Sequence, residues 1–377
     1  MKFLHLSDLH LGIRVNGFSM LDDQQYILKQ IINIADKTNA DAVIIAGDVY
    51  DKSVPSAEAV QLFDDFLYTL KTMNLKVFVI GGNHDSMERL SFGSRLMEKS
   101  NIYISPVYNG TLKPLTAEDE HGKVCIYMLP FIKPANVRRY YPDEDIQTYN
   151  DAVKVALSKA PVDEKCRNIL VTHQFVTGAS VCESEEITVG GTDNIDASLF
   201  DSFDYVALGH IHGPQSILKE TVRYSGTPLK YSFSEKNHIK SVTVVSLGEK
   251  GNVKIQTEPL VPKHDMREIK GTYNELTLKS NYEGTNTDDY MSIILTDEED
   301  VPDAIGRLRT VYPNIMKLNY DNARTRNSTS IKKIESIKSK SFIELFEEFY
   351  EKQNASPMSE TQKKFVKNLD REIRGDE

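Results

Sequence analysis

Three stretches near the N-terminus, FLHLSDLH (3–10), AVIIAGDVYD (42–51) and VFVIGGNHD (77–85), decide the fold. Each is an apolar run of strand length that stops at a Ser or Gly and is followed at once by Asp, Asn or His. Segments of helix length, around 22–37 and 56–72, separate them. The order reads as βαβαβ, and strand ends in an α/β sheet converge on one edge, where sites form.

Working outward, further strands are expected at CIYMLPF (125–131), NILVTH (168–173), YVALGH (205–210), VRYSG (222–226) and SVTVVSL (241–247), with a helix near 146–159. An α/β sandwich of mixed sheets accounts for that order. The rhythm changes after Pro259 and Pro262. Residues 267–320 read as a small βαβ-like unit, with strands around YNELTLK (273–279), MSIILT (291–296) and IMKLNY (315–320) and a helix beginning near Asp300 and Val301. A polar linker (323–340) follows, carrying Arg324, Arg326, Lys332, Lys333, Lys338 and Lys340 against Glu335 alone. Two amphipathic helices close the chain, one with Phe342, Leu345, Phe346 and Phe349 at helical spacing, the other with Phe365, Val366, Leu369 and Ile373. The expected divisions are therefore 1–262, 263–322, 323–340 and 341–377.

Composition bounds the class. The chain has 377 residues, more than one ordinary core fills, and is 40% hydrophobic with no run long enough to span a bilayer. A net charge of −10 argues against a generic nucleic-acid coat protein but leaves room for a local basic surface. The N-terminus lacks a secretory pattern, and Cys125, Cys166 and Cys182 share no metal or disulfide spacing, so a cytoplasmic setting is expected.

The chemistry lies in SDLH (7–10), GDVYD (47–51), GNHD (82–85), THQ (172–174) and GHIH (209–212), each just past an apolar strand. Asp8 and His10 stand two apart, as do His210 and His212, so each pair has a spacing that lets two side chains face one ion. Carboxylate and amide oxygen mixed with imidazole nitrogen suits Mn, Fe or Zn rather than Mg or Ca. A shared carboxylate can hold two ions about 3.5–4 Å apart, close enough to act on both sides of an in-line displacement at phosphorus. Singly, each motif is more often structural, an N-cap or a turn, than catalytic. Five in succession at strand ends are hard to explain that way. His5, His121, His238 and His264 lie outside any motif; His5 is expected in the core.

Together the five motifs resemble the calcineurin-like metallophosphoesterase superfamily. That resemblance implies that Asp8, His10 and His212 bind one divalent ion and Asn83, His173 and His210 a second, with Asp48 bridging and manganese the expected metal. It also implies that His84 is the non-ligand histidine that assists the leaving oxygen, oriented by Asp51. RYSGTPLKYSFSE (223–235), the unit at 289–322 and SFIELFEEFYEKQNASPMSE (341–360) are similar to the SbcD nuclease branch, although that branch more often has Ser where Thr227 stands. The branch implies a DNA nuclease with 3′ to 5′ double-strand exonuclease and single-strand or hairpin endonuclease activity, a capping domain at 263–322, and an SbcC-type ATPase partner held by the C-terminal helices. It further implies a homodimer through helices near 56–70 and 87–99, although Val60, Phe63, Phe66, Leu67 and Leu70 would equally well pack on their own sheet. Arg138, Arg139 and the basic linker are candidate phosphate contacts. A dinuclear phosphatase or cyclic-nucleotide phosphodiesterase, and a catalytically silent scaffold, remain the alternatives.

Overall fold

The βαβαβ run forms as expected. Strands Lys2–Leu6, Ala42–Ala46 and Lys76–Ile80 lie side by side and parallel, and helices Leu21–Lys37 and Ala57–Thr72 make the crossovers. The second helix is capped by Ser56, whose hydroxyl accepts from the Ala59 amide, and turns Phe63, Phe66, Leu67 and Leu70 inward. Those four aromatic and aliphatic side chains are core; of the dimer candidates in this helix only Val60 is exposed. The sheet is completed in the order Val253–Pro259, Ser241–Leu247, Lys2–Leu6, Ala42–Ala46, Lys76–Ile80, Ile102–Ile104, with the first two strands antiparallel.

This computed structural model describes residues 1–185, 193–329, 342–354 and 356–374. The chain divides into two compact units, Met1–Asp265 and Met266–Glu377. No helix among the described residues is long and apolar enough to cross a membrane.

In the first unit a second six-stranded sheet runs Gln215–Ile217, Lys219–Tyr224, Tyr205–Gly209, Arg167–His173, Gly122–Leu129, Leu115–Asp119, its four central strands parallel. Alternate residues of the two sheets face each other: Phe3, Ile44, Ala46 and Phe78 from one, Ile126, Ile169, Val171 and Ala207 from the other. The opposite face of the second sheet packs Tyr127, Leu129, Leu170, Val206 and Leu208 with Ala152, Val153 and Ala156 of helix Tyr149–Ser158. Buried on both faces, these strands read as continuous apolar runs, which is why their ends stand out in the sequence. His5 is fully buried and hydrogen-bonds Tyr205 Oη (2.9 Å) and the Leu208 carbonyl, a core residue as expected.

The second unit holds a parallel sheet in the order Met266–Gly271, Tyr290–Leu295, Ile315–Tyr320 around Met291, Ile293, Leu295, Leu308 and Tyr312. Here the sequence reading needs correction. YNELTLK is not a strand: Tyr273–Thr277 and Lys279–Tyr282 are short helices, and the first strand lies before them. Thr272 and Glu275 form a capping box in which each side chain bonds the other residue's amide, a T-x-x-E start signal that outweighs the alternation of YNELTLK. The next helix spans Ala304–Leu308, a few residues beyond the expected start. The linker reading is also corrected in part, since Ala323–Thr329 is helical, while 330–341 lies outside the described residues. Both terminal helices are present, Phe342–Asn354 and Glu360–Arg374, leaving Phe349, Phe365 and Leu369 exposed. The side chains of Phe342 and Ile373 lie outside the described residues.

Replacing the capping threonine, Thr272→Ala, is expected to cost about 1 kcal/mol, read as a lower urea midpoint for the second unit. An unchanged midpoint would mean that the box contributes nothing to that turn.

Candidate metal centre

Strands Lys2–Leu6, Ala42–Ala46 and Lys76–Ile80 of one sheet and Arg167–His173 and Tyr205–Gly209 of the other all run out at one end of the sandwich, and the five motifs meet there. The loops are zipped to one another by backbone bonds, Asp8 N–H to the Gly47 carbonyl and His10 N–H to the Asp48 carbonyl, both 3.0 Å. Asp8, His10, Asp48 and His210 all have positive φ, at 53°, 43°, 48° and 103°. Non-glycine residues held there are strained at roughly 1–3 kcal/mol each, and such strain collects at functional sites. The glycines of the motifs admit close approach: a Cβ on Gly209 would strike the Ala46 carbonyl, and one on Gly82 the Asp48 carboxylate.

The expected ligand set converges. Asp8, His10 and His212 each place a ligand atom within 4.8 Å of the others, as do Asp8, Asp48 and His173. His10 Nε2 and His212 Nε2 are 3.2 Å apart, a separation that suits two ligands about 2.1 Å from one ion. On the other side Asn83 Oδ1 lies 3.1 Å from His173 Nε2 and 3.0 Å from His210 Nδ1. Asp48 stands between the two groups, its Oδ2 at 3.2 Å from His173 Nε2 and 3.7 Å from His10 Nε2, while its Oδ1 accepts from the His84 amide at 2.9 Å.

These contacts suit a cation. His173 Nδ1 bonds the Ala46 carbonyl at 2.8 Å and so must carry the proton, which leaves a lone pair on Nε2 of the neutral ring. That lone pair faces Asp48 Oδ2 and Asn83 Oδ1, both acceptors, so three electron-rich atoms converge on one point. Without metal, a proton takes the cation's place. Burial alone would lower His173, but the Asp48 and Asp8 carboxylates outweigh it and hold the ring up to about 9. Burial, with Asp48 adding to it, lifts Asp8 to about 7; burial also works against ionised Asp48, but His173, His10 and His84 keep that carboxyl well below its usual range. Burial depresses His10 to about 4 and His210 to about 3, and pushes His212 well below 6.5, so these rings are neutral and ready to ligate.

His84 is set differently. Its ring is part-exposed where the ligands are buried, its Nε2 lies 4.0 Å from Asp48 Oδ2, and its Nδ1 bonds the Asp51 main-chain carbonyl at 2.9 Å. That bond runs to the backbone of Asp51. Phe131 lies parallel to His210 and edge-on to His173, forming an apolar wall behind the second group.

Residues 1–214 match the family model described as calcineurin-like phosphoesterase, and residues 262–354 the model described as type 5 capsule protein repressor C-terminal domain. Over 373 residues the chain is 33% identical to the SbcD subunit of the nuclease SbcCD of Staphylococcus epidermidis, covering 98% of each chain. The chain belongs to the calcineurin-like phosphoesterases of the SbcD type. The protein of the same name from Staphylococcus saprophyticus is 36% identical over 324 residues, 84% of each chain. Among solved structures a dimetal phosphatase from Danio rerio is similar at a TM-score of 0.43 with 11% identity, covering 69% of this chain and 96% of that one, a likeness too slight to carry an argument.

In this SbcD-type phosphoesterase the sequence reading missed the residues that hold the ligand loops. Asp85 accepts from the amides of Gly82, Val49 and Tyr50 at 2.9–3.0 Å, tying GNHD to GDVYD. It is the last letter of GNHD, so its type and place were visible, but its partners were not. Gln24, from the first helix, donates to the Leu9 and His10 carbonyls and accepts from the Gly12 amide. Nothing in its helical surroundings marks it out.

In metal-free protein the raised His173 and Asp8 mean that the folded site binds more protons than the unfolded chain between about pH 7.5 and 9, above the range in which the depressed His10, His210 and His212 would take up protons on unfolding. Stability therefore falls as pH rises through that window. The melting temperature with chelator should drop from about pH 7.5 to 9, and saturating Mn²⁺ should remove the drop by replacing the protons. A flat or rising profile in chelator would contradict this arrangement of charges.

Proposed function

We propose that the chain is a metal-dependent DNA nuclease that acts as a 3′ to 5′ exonuclease on duplex ends and as an endonuclease on single strands and hairpins. The observation that carries the reading is the convergence of two carboxylates, one amide and four imidazoles, with His84 beside them at the solvent side. Asp8, His10 and His212 would hold one divalent ion, Asn83, His173 and His210 the other, with Asp48 shared between them. Manganese is the proposed metal, given the mixed oxygen and nitrogen donors. Two such ions, when bound, would activate a water at neutral pH and offset charge on the phosphoryl group.

The chain's own residues do the rest. His84 donates Nδ1–H to the Asp51 carbonyl, an acceptor that also stabilises the protonated ring, and its Nε2–H would pass a proton to the leaving 3′ oxygen. Phe131 and Phe175 wall the His210 side with apolar rings and limit competing water.

DNA as substrate is supported by the nuclease subunits that the chain resembles along nearly its whole length. Their SbcCD naming supports an SbcC-type ATPase as partner, engaged through the terminal helices, where Phe349, Phe365 and Leu369 are exposed as a helix-in-groove contact requires. We assign DNA capping to residues 263–322 and a homodimer contact to the surface with Val60, Tyr68, Phe92 and Leu96, all exposed. A role in DNA repair, recombination and replication, in the cytoplasm, completes the proposal.

End-labelled hairpin and duplex DNA with Mn²⁺, with and without an SbcC-type partner, tests it. Asp48→Ala should abolish cutting, and His84→Ala should slow it by about 10²–10⁴-fold while Mn²⁺ uptake persists. No DNA cleavage under any condition, with a small phosphoester hydrolysed instead, would replace the nuclease reading by the phosphatase one.

A further inference from the structure

His212 is gripped at every polar atom of its backbone and at the far side of its ring. Its amide donates to Glu185 Oε1 at 2.7 Å, and its carbonyl accepts from Lys240 Nζ at 2.9 Å and from the Thr227 amide at 3.1 Å. Its ring Nδ1 meets Ser184 Oγ at 2.8 Å, and Ser184 Oγ in turn donates to Glu235 Oε1 at 2.7 Å. A serine hydroxyl has one proton; since Glu235 takes it, Ser184 can only accept from His212, and the proton of the neutral ring must sit on Nδ1.

Glu235 and Lys240 make this chain of bonds rigid. Both are buried, at 0% and 4% exposure, and pair at 2.5 Å, and Lys240 also donates to Thr227 Oγ1 at 2.7 Å. A buried pair so costly to desolvate adds little stability by itself. Its placement has another effect: Lys240 donates to Glu235 Oε2 and leaves Oε1 to accept from Ser184, so Ser184 can only be an acceptor toward His212. The polarity of every bond back to His212 is thereby set.

We propose that Ser184 and Glu235 are positioning residues that hold His212 in the Nδ1–H tautomer, and so tune the affinity of one of the two metal positions. This rests on the metal-centre reading above and assigns a role to residues outside the ligand set. The physical basis is general, since an acceptor behind a ligating imidazole fixes its tautomer and raises its basicity. It also explains what KYSFSE (230–235) does for the site, because Glu235 reaches it through Ser184, and Tyr231 Oη through the Leu9 carbonyl at 2.7 Å.

Ser184→Ala removes the link but leaves the Glu235–Lys240 pair whole, so it isolates the effect from folding. Mn²⁺ titration of full-length, metal-free protein by calorimetry should show one of two ions bound about 10–100-fold more weakly, with Ser184→Thr restoring the affinity. Glu235→Gln should weaken the same ion, and ¹⁵N spectra of metal-free protein should show the His212 Nδ1–H signature in the wild type and lose it in Ser184→Ala. Wild-type uptake of two ions with Ser184→Ala equal to it, or an unchanged tautomer in that variant, overturns the inference and leaves the metal centre standing. If the wild type takes up no ion, the metal-centre reading itself fails and the inference with it. Two ions bound and weakened as stated, without DNA cleavage, would support the positioning role and count against the nuclease reading alone.

Discussion

Two carboxylates, Asp8 and Asp48, are almost wholly buried among the imidazoles of His10, His173, His210 and His212, and this buried charge is the constraint on which the structure turns. Burying an ionised carboxylate without a partner is costly, and burying two side by side is worse. Only positive charge shared among the ligands resolves that cost, and the set of nitrogen and oxygen donors is shaped to receive it. The left-handed loops, the glycines that admit close contact, and Asp85 and Gln24 as loop clamps all hold an arrangement that the polypeptide would not adopt for its own stability. The fold is an ordinary sandwich; what is particular is the end of it, where stability is given up for the site.

The sandwich and its ligands were legible because both depend on short-range order. Strands such as AVIIA and NILVTH are buried on both faces, so their runs are uninterrupted; Asp48 stands two residues past the first, and His173 ends the second. The second unit was less legible. YNELTLK alternates like a strand, yet Thr272 just before it and Glu275 within it close a capping box, and the capped turn determines the conformation. In helix Ala57–Thr72, Phe63, Phe66, Leu67 and Leu70 gave no means of separating core from contact surface, since both call for the same apolar face.

The supporting residues were illegible for a different reason. Ser184, Glu185, Glu235 and Lys240 act on His212 from 28, 27, 23 and 28 positions away along the chain, and no periodicity connects residues so spaced. Their function arises from which atom donates to which, and that exists only once the loops are closed. A ligand set can thus be read from motifs, while the bonds that set its tautomers and charges require coordinates.

The central claim is that this end of the sandwich is built around two cations shared by Asp48. Equilibrium dialysis of chelator-stripped protein against Mn²⁺, followed by elemental analysis, tests it without reference to substrate. The account predicts two ions per wild-type chain at saturation and one in His212→Ala; a wild-type chain that saturates at a single ion, or takes up none, would contradict it.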